Sequence, residues 1–448
     1  MNQPELRESS LLHSYAKRWV WLGVAALAVA GVFAVLLVAA RAPQLKAIGL
    51  SQDLFNMALV VHVDLSVLVW FLAVIGAYLS VQLHNQTMRW LYAEPAAFWS
   101  FAAGALFMTL SPLEGEWAVV KSNYIPVLIN PLFFLGLSLL AAGMLVLTAE
   151  VIGTNLRMGA LSMKNAVGVV MAWVVLAALG FFAHSGATLP DGYDAEGRFE
   201  YLFWAGGHTL QFAFTLMAII AWAKLYASRY SVEPFTRMVW GAMLLATVVG
   251  IVAPLPAVLE YPVDSAEFQG AFTRAMIEWG GFAGTVALLA IGWRICSAPK
   301  LAMKRDARFS TLVTSLVLFV AGGVLGLMIT GQNVTIPAHY HGAIVSVTLA
   351  LMGYAYTLMP KFGYGDVSQW KLAFWQPIIY GIGQLMHVGG LAYSGGYGVL
   401  RKTAVGNTEF APEIKAALGV MGLGGLLAII GGLLFVVVMV KSDRAVRA

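Results

Sequence analysis

Twelve long apolar runs divide the sequence, and they limit its fold more than any other feature. The runs lie near residues 19–40, 55–82, 96–112, 125–150, 165–184, 201–226, 236–258, 271–295, 310–330, 338–360, 372–394 and 414–440. Most have about 20 residues, enough for an α-helix to cross the roughly 30 Å of hydrocarbon in a bilayer. A helix satisfies its own backbone N–H and C=O groups, as that environment requires. The sequence therefore predicts an all-α integral membrane protein with twelve transmembrane helices.

Composition favours a single membrane domain. The chain is 60% hydrophobic and 11% charged, with a mean hydropathy of +0.79, which excludes a soluble globular protein. The first apolar run is too long for a signal-peptide core and no small-residue cleavage site follows it, so we expect the N-terminus to be kept. The expected organisation is an N-terminal tail at 1–18, a membrane domain at 19–440 and a C-terminal tail at 441–448.

The basic residues indicate how the chain crosses the membrane. With the N-terminus inside, the inner segments carry 19 of the 27 Lys and Arg residues and the outer segments carry eight. By the positive-inside rule both termini are cytoplasmic. The net charge of +5 thus reflects topology and gives no reason to expect nucleic acid as a partner. The outer loops are rich in acidic residues, which leaves open the docking of a basic soluble protein.

A single cysteine, Cys296, limits the cofactor chemistry. One cysteine excludes an intrachain disulfide, covalent haem attachment through a Cys-x-x-Cys-His motif, and an iron–sulfur cluster. Any haem is therefore expected to be held without covalent bonds.

The stretch His339-Tyr340-His341 opens the tenth apolar run. Two residues on a helix that are two positions apart point about 200° away from each other, so one helix would offer an imidazole to each of two bodies. Two separate metal centres sharing one ligand helix are one interpretation. The alternative is a pair of packed, hydrogen-bonded histidines.

Histidines of three helices share one membrane depth. In this topology His62, His208, His339 and His341 all fall near the outer ends of the second, sixth and tenth segments. Ionisable groups inside a membrane are costly and usually functional, so this level is the candidate site. Gly206 and Gly207 precede His208, and glycines let a bulky flat group or a neighbouring backbone approach closely. For His387, inside the eleventh segment, structural and functional interpretations remain open.

Imidazole is the usual protein ligand of haem iron. A haem with two histidine ligands suits electron transfer, whereas a haem with one histidine keeps a position for a small molecule. His62 and His341 would sandwich the first kind. His339, on the other face of its helix, would hold the second, and His208 would face its open side.

In the pattern of these histidines the sequence resembles subunit I of the haem–copper oxidase superfamily. His62, the element Gly206-Gly207-His208-Thr209-Leu210-Gln211 and the His339-x-His341 pair carry the resemblance, which covers essentially the whole chain. The glycine-rich element and the twelve-helix length are most similar to the branch containing cbb-type cytochrome oxidases and nitric oxide reductases. The resemblance implies a bundle of the subunit I type and a role in respiratory electron transport.

The resemblance also implies site residues. His62 and His341 would ligate a low-spin haem b, and His339 would ligate a high-spin haem b. His208 would be a ligand of an adjacent copper or non-haem iron. The pair Arg401-Lys402 resembles the basic pair that contacts haem propionates, with an ordinary interfacial pair as the alternative.

One departure from the family pattern concerns the second metal. The family's seventh helix contributes adjacent histidines, but no histidine lies between His208 and His339 in this chain. Copper held by one imidazole would be bound weakly. Glu260 would add an oxygen ligand, which favours iron over copper, or it is only a solvated acid. Asp64 and Glu278 both lie near outer ends of helices, so no inner proton pathway is expected.

Two functions follow as hypotheses. The first is an oxidoreductase, similar to cytochrome c oxidase or nitric oxide reductase, that reduces O2 or NO at the high-spin haem. The second is a divergent electron-transfer or gas-binding cytochrome b without the second metal. The resemblance implies a bacterial cytoplasmic membrane as the location. Electrons would come from a donor subunit, a soluble cytochrome c or cupredoxin at the outer face, or quinol.

Overall fold

The computed structural model describes residues 3–41, 52–84, 93–115, 117–158, 162–298, 305–330, 333–398 and 411–444 of the 448-residue chain. These residues are almost entirely helical. The helices are α1 (Gln3–Arg41), α2 (Gln52–Val63), α3 (Trp70–His84), α4 (Ala93–Leu110), α5 (Pro131–Met158), α6 (Met163–Thr188), α7 (Ala195–Tyr230), α8 (Arg237–Val252), α9 (Leu255–Glu260), α10 (Ala266–Ala275), α11 (Gly281–Ser297), α12 (Ala307–Leu327), α13 (Thr335–Leu358), α14 (Lys371–Gly396) and α15 (Pro412–Arg444).

Four short helical segments of other types join these helices. Asp64–Val69 and Met276–Gly280 are π-helical, and they make α2 continuous with α3 and α10 continuous with α11. Ser111–Glu114 and Met359–Phe362 are 3-10 turns that follow α4 and α13.

The predicted all-α membrane fold is confirmed. Among the described residues, eleven helical spans are long and apolar enough to cross a membrane. The eleventh predicted run, 372–394, also forms a helix, α14, but it is not among these eleven spans. The polar side chains of Gln376, Gln384 and His387 lie along it and lower its hydropathy.

The fourth predicted run, 125–150, was misplaced at its start. Val127–Leu128 is instead a β-strand, β2, paired antiparallel with β1 at Val119–Val120. Helix α5 begins only at Pro131 because Asn130 caps it: the Asn130 side-chain oxygen accepts from the Phe133 N–H at 2.8 Å. A proline at the first helical position suits this start.

The seventh predicted run, 236–258, divides into two helices. Helix α8 ends at Val252, and the short helix α9 follows from Leu255 to Glu260. Pro254 and Pro256 have no N–H to continue the α8 hydrogen-bond ladder, which explains the interruption. At the ends of the chain, α1 begins at Gln3 and α15 continues to Arg444, so helix extends into both predicted tails.

The chain divides into two compact units. The first contains Met1–Ala26, Val60–Ile220 and Pro234–Ser297. Its helices α4 and α5 approach backbone to backbone, since a Cβ on Gly104 would lie 2.5 Å from the carbonyl oxygen of Gly136. Such small-residue contacts are the usual way in which membrane helices pack closely.

The second unit contains Leu27–Leu59, Ala221–Glu233 and Ala298–Ala448. Its helices pack as two close antiparallel pairs, α12 with α13 and α14 with α15. In the first pair, a Cβ on Gly322 would lie 2.5 Å from the backbone nitrogen of Ala343. In the second, a Cβ on Gly383 would lie 2.5 Å from the backbone nitrogen of Ala428.

Candidate functional site

His339 and His341 both lie near the start of α13, and both have a defined ring orientation. His339 Nδ1 is 2.7 Å from the carbonyl oxygen of Gly322 on α12. His341 Nδ1 is 2.8 Å from the carbonyl oxygen of Pro337, one turn earlier on its own helix. A carbonyl oxygen only accepts hydrogen bonds, so each Nδ1 carries the proton in the neutral ring. Nε2 is then the nitrogen with the lone pair, as a metal-ligating histidine requires.

Glycines on α12 make room for the His339 ring. A Cβ on Gly326 would lie 2.7 Å from His339 Nδ1, and a Cβ on Gly342 would lie 2.6 Å from the Cα of Gly322. Any larger residue at 326 would displace the imidazole. The close approach of α12 to α13 therefore fixes where the His339 ring lies.

His341 contacts two other rings of the second unit. The Tyr340 ring stacks on it at a centroid distance of 4.9 Å, and the His387 ring lies 5.1 Å away at an angle of 45°. His387 Nδ1 is 3.0 Å from the carbonyl oxygen of Met421 on α15. The sequence left the role of His387 open, and the structure places it beside a predicted haem ligand.

His62 is the penultimate residue of α2 and is half-buried. The π-helical segment begins two residues later at Asp64, whose side chain is buried. Ser66 Oγ donates to the carbonyl oxygen of His62 at 2.6 Å, which holds the backbone at this transition. Single π-helical turns inside α-helices occur frequently at functional sites.

His208 lies on α7 and is 2% exposed. Its Nδ1 is 2.8 Å from the carbonyl oxygen of Trp204, so this ring too carries its proton on Nδ1. Its Nε2 is 2.8 Å from Tyr124 Oη and 3.3 Å from Thr273 Oγ1. Thr273 donates its own hydroxyl proton to the carbonyl oxygen of Gln269 at 2.9 Å. Tyr124 is therefore the donor to His208.

The glycines before His208 accommodate flat rings of this chain. A Cβ on Gly207 would lie 2.3 Å from the Tyr124 ring, and a Cβ on Gly206 would lie 2.3 Å from the Phe182 ring. The sequence indicated a close approach by a flat group or a backbone. The structure shows that two aromatic side chains of the same unit make that approach.

Tyr124 is protonated at neutral pH. Burial, followed by the negative charge of Glu200, raises the pKa of the Tyr124 phenol far above its usual value of 10.0. The phenol thus keeps the proton that it donates to His208. In the neutral imidazole, the lone pair of Nε2 is fully engaged by this bond.

The described residues do not fit the ligand set that the family implies for a second metal. Glu260, the suggested oxygen ligand, is exposed at the end of α9. No three His, Cys, Asp or Glu residues in the described ranges are grouped so that they could hold a metal ion. The role of Glu260 stays a prediction. Arg401 and Lys402, the predicted propionate contacts, lie outside the described residues.

Sequence reasoning missed several buried polar groups. Tyr124 and Thr273 were not connected with His208, although the turn residues around Tyr124 do indicate an ordered loop. Glu94 and Glu150 are 5% and 2% exposed, yet only Asp64 and Glu278 were identified as intramembrane acids. The sequence does contain a signal for Glu150 as an intramembrane acid, because it is the last residue of the fourth predicted apolar run.

The sequence matches a protein family and is similar to two further proteins. The sequence pattern of the family described as "Cytochrome C and Quinol oxidase polypeptide I" matches residues 14–434. An uncharacterized protein of Rickettsia prowazekii (strain Madrid E) is 29% identical, and the match covers 96% of each chain. An uncharacterized protein of Aquifex aeolicus (strain VF5) is 27% identical over 77% of this chain and 85% of its own length.

A solved structure is also similar over nearly the whole chain. It is described as a heme-copper terminal oxidase dimer, and it superposes with a TM-score of 0.74 at 15% identity. The match covers 99% of this chain and 84% of the solved one. At this identity the similarity concerns the fold, and it agrees with the family pattern.

Proposed function

Because the chain belongs to the cytochrome c and quinol oxidase polypeptide I family, we propose that it is a membrane haem protein of respiratory electron transport. In this proposal a bis-histidine low-spin haem b would supply electron transfer to a high-spin haem b, which would supply a binding position for O2 or NO. The observation that carries this proposal is the common tautomer of His339 and His341. Each Nδ1–H donates a hydrogen bond to a backbone carbonyl, so the lone pair of Nε2 is the one that can ligate a metal.

Individual histidines have separate roles in this proposal. His62 and His341 would hold the low-spin haem, and His339 would hold the high-spin haem. This assignment rests on the family pattern and on the donor chemistry of the rings. When bound, haem supplies one-electron redox chemistry and, where it has one histidine ligand, a position for a diatomic gas. The carbonyl oxygens of Gly322 and Pro337 keep two of the three rings in orientation.

Gas binding and electron transfer are favoured over reduction of the gas. Among the described residues, His208 Nε2 already accepts a hydrogen bond from Tyr124. No three His, Cys, Asp or Glu side chains there are grouped so that they could hold a metal ion. The second candidate is an oxidoreductase, similar to cytochrome c oxidase or nitric oxide reductase, that reduces O2 or NO. Family membership is the observation that favours it.

The proposed surroundings follow from the family and the charges. The chain lies in a bacterial cytoplasmic membrane with both termini on the cytoplasmic side. Its electron donor is a partner subunit, a soluble cytochrome c or cupredoxin at the outer face, or quinol. Asp191 and Asp194 are exposed in the loop before α7 and would face a basic donor there.

Optical spectra of the purified protein test the proposal. We expect two haems b per chain and, in the reduced protein, a change in one of them on addition of CO. His341→Ala should remove the low-spin spectrum, and His339→Ala should remove the response to CO. His184→Ala is the matched control, because this histidine lies in the last turns of α6 and is not a predicted ligand.

Each outcome has a definite meaning. A haem-free wild-type protein would overturn the proposal. Loss of both haems in His184→Ala would show that the histidine variants disturb folding rather than ligation. Consumption of O2 or NO by the reduced protein, at a rate abolished in His339→Ala, would establish the second candidate instead of the first.

A further inference from the structure

The turn of a β-hairpin in the first unit contacts His208. The strands Val119–Val120 and Val127–Leu128 pair antiparallel, and the turn between them carries Tyr124. Ser122 Oγ donates to the carbonyl oxygen of Ile125, which closes the turn. Tyr124 Oη then reaches His208 Nε2 at 2.8 Å.

One face of α7 holds this turn in place. Glu200 accepts the backbone N–H of Asn123 at 3.0 Å and also binds its side-chain amide. Trp204 meets the Tyr124 ring edge-on at 5.9 Å, and Gly207 leaves the space into which that ring packs. Positions 200, 204, 207 and 208 share one side of a helix. These contacts hold the backbone beside Tyr124 against α7 and seat the Tyr124 ring against Gly207.

The phenol occupies the position that a metal would need. A metal ligated by imidazole lies about 2.0–2.1 Å from the nitrogen along its lone pair. The hydrogen bond from Tyr124 uses the same lone pair, and Tyr124 Oη lies 2.8 Å from Nε2. A metal on the line from Nε2 to this oxygen would come within about 1 Å of the oxygen, far inside any coordination distance.

We propose that the position of the family's second metal is closed in this chain by Tyr124, so that His208 is a hydrogen-bond acceptor and not a metal ligand. The second glycine of the pair has the same explanation, because Gly207 makes room for the Tyr124 ring. This inference rests on the proposed function only in using the family's metal site as its reference.

Metal and haem analysis of the same samples tests the inference. The full-length protein is incubated with Cu(I), Fe(II) or Zn(II), desalted and analysed, and the variants His208→Ala and Tyr261→Phe are treated in the same way. Tyr261→Phe is the matched control, since Tyr261 is an exposed tyrosine of the same unit. We expect the wild-type protein to retain no more non-haem metal than His208→Ala does. One equivalent of metal in the wild type that is lost in His208→Ala would overturn the inference.

A second measurement reports on the hydrogen bond itself. In NMR of protein labelled at the histidine nitrogens, His208 should show a neutral ring protonated on Nδ1. Tyr124→Phe should shift its Nε2 signal toward that of an imidazole without a hydrogen bond, and Tyr261→Phe should not. An unchanged signal in Tyr124→Phe would overturn the inference. Because haem is counted separately, a protein without haem would contradict the proposed function while the metal and NMR results still decide this inference.

Discussion

The imidazole rings of His341 and His387 lie 5.1 Å apart between centroids, with their planes inclined by 45°. Each ring is anchored through Nδ1 to a backbone carbonyl, that of Pro337 for His341 and that of Met421 for His387. The anchor of His387 belongs to a different helix, α15. The orientation of a predicted haem ligand is thus connected with the packing of α14 against α15.

His387→Leu is expected to alter the low-spin haem without removing it. The substitution places an apolar side chain beside His341 and removes the bond to Met421, so the anchored ring that packs against His341 is lost. We expect a shift in the low-spin EPR signal and in the reduced absorption band, and a loss of about 1 kcal/mol in the free energy of unfolding. Gln384→Leu, one turn away on the same helix, should leave both spectra unchanged. Identical spectra for wild type and His387→Leu would refute the connection.

Gly326→Ala should weaken the binding of the high-spin haem. The new Cβ would lie 2.7 Å from His339 Nδ1, so the ring must turn away from the carbonyl of Gly322. A CO-binding titration and the haem content would report the loss, which we expect to be at least tenfold in affinity, or about 1.4 kcal/mol. Gly323→Ala is the matched control, because a Cβ there meets nothing within 4 Å. Equal losses in the two variants would mean that His339 is not the residue affected.

The helices and the histidines could be predicted from the sequence because their signals are local. An apolar run long enough to span a bilayer dictates a helix regardless of its neighbours. The tautomers of His341 and His208 also arise locally, since each ring bonds a carbonyl one turn earlier. The start of α5 could not be placed, because the apolar residues Val127 and Leu128 suit a strand as well as a helix.

The contact between Tyr124 and His208 could not be predicted. The two residues are 84 positions apart, and the turn that carries Tyr124 is held by Glu200 through Asn123. No periodic pattern connects a hairpin tip with a distant helix face. The role of Gly207 was consequently only partly foreseen: its small size indicated a close approach, but the partner ring followed from tertiary packing.

Tyr193 should contribute to stability below about pH 10 and lose that contribution as the pH rises to about 12. Its hydroxyl donates to the Asp264 carboxylate, and this bond, with minor effects of burial and charge, raises the pKa of Tyr193 to about 12. Since the folded-state pKa exceeds the unfolded value of about 10, deprotonation is harder in the folded protein. The contribution is therefore complete below the unfolded pKa and vanishes through the folded one. The difference in Tm between wild type and Tyr193→Phe, measured from pH 8 to pH 12, should shrink over this range. A constant difference would contradict the assignment.

Gly383→Ala should destabilise the pair formed by α14 and α15. A Cβ at 383 would lie 2.5 Å from the backbone nitrogen of Ala428 and 2.7 Å from the carbonyl oxygen of Gly424, so the helices must separate. Separation would also lengthen the bond from His387 to Met421, and we expect the low-spin haem spectrum to change together with a lower Tm. Gly389→Ala is the matched control on the same helix, where a Cβ meets nothing within 4 Å. Alanine is favoured over glycine in a helix by up to about 1 kcal/mol, so this variant should be neutral or slightly more stable. If both variants melt at the wild-type temperature, the two helices are not packed as closely as their backbones indicate.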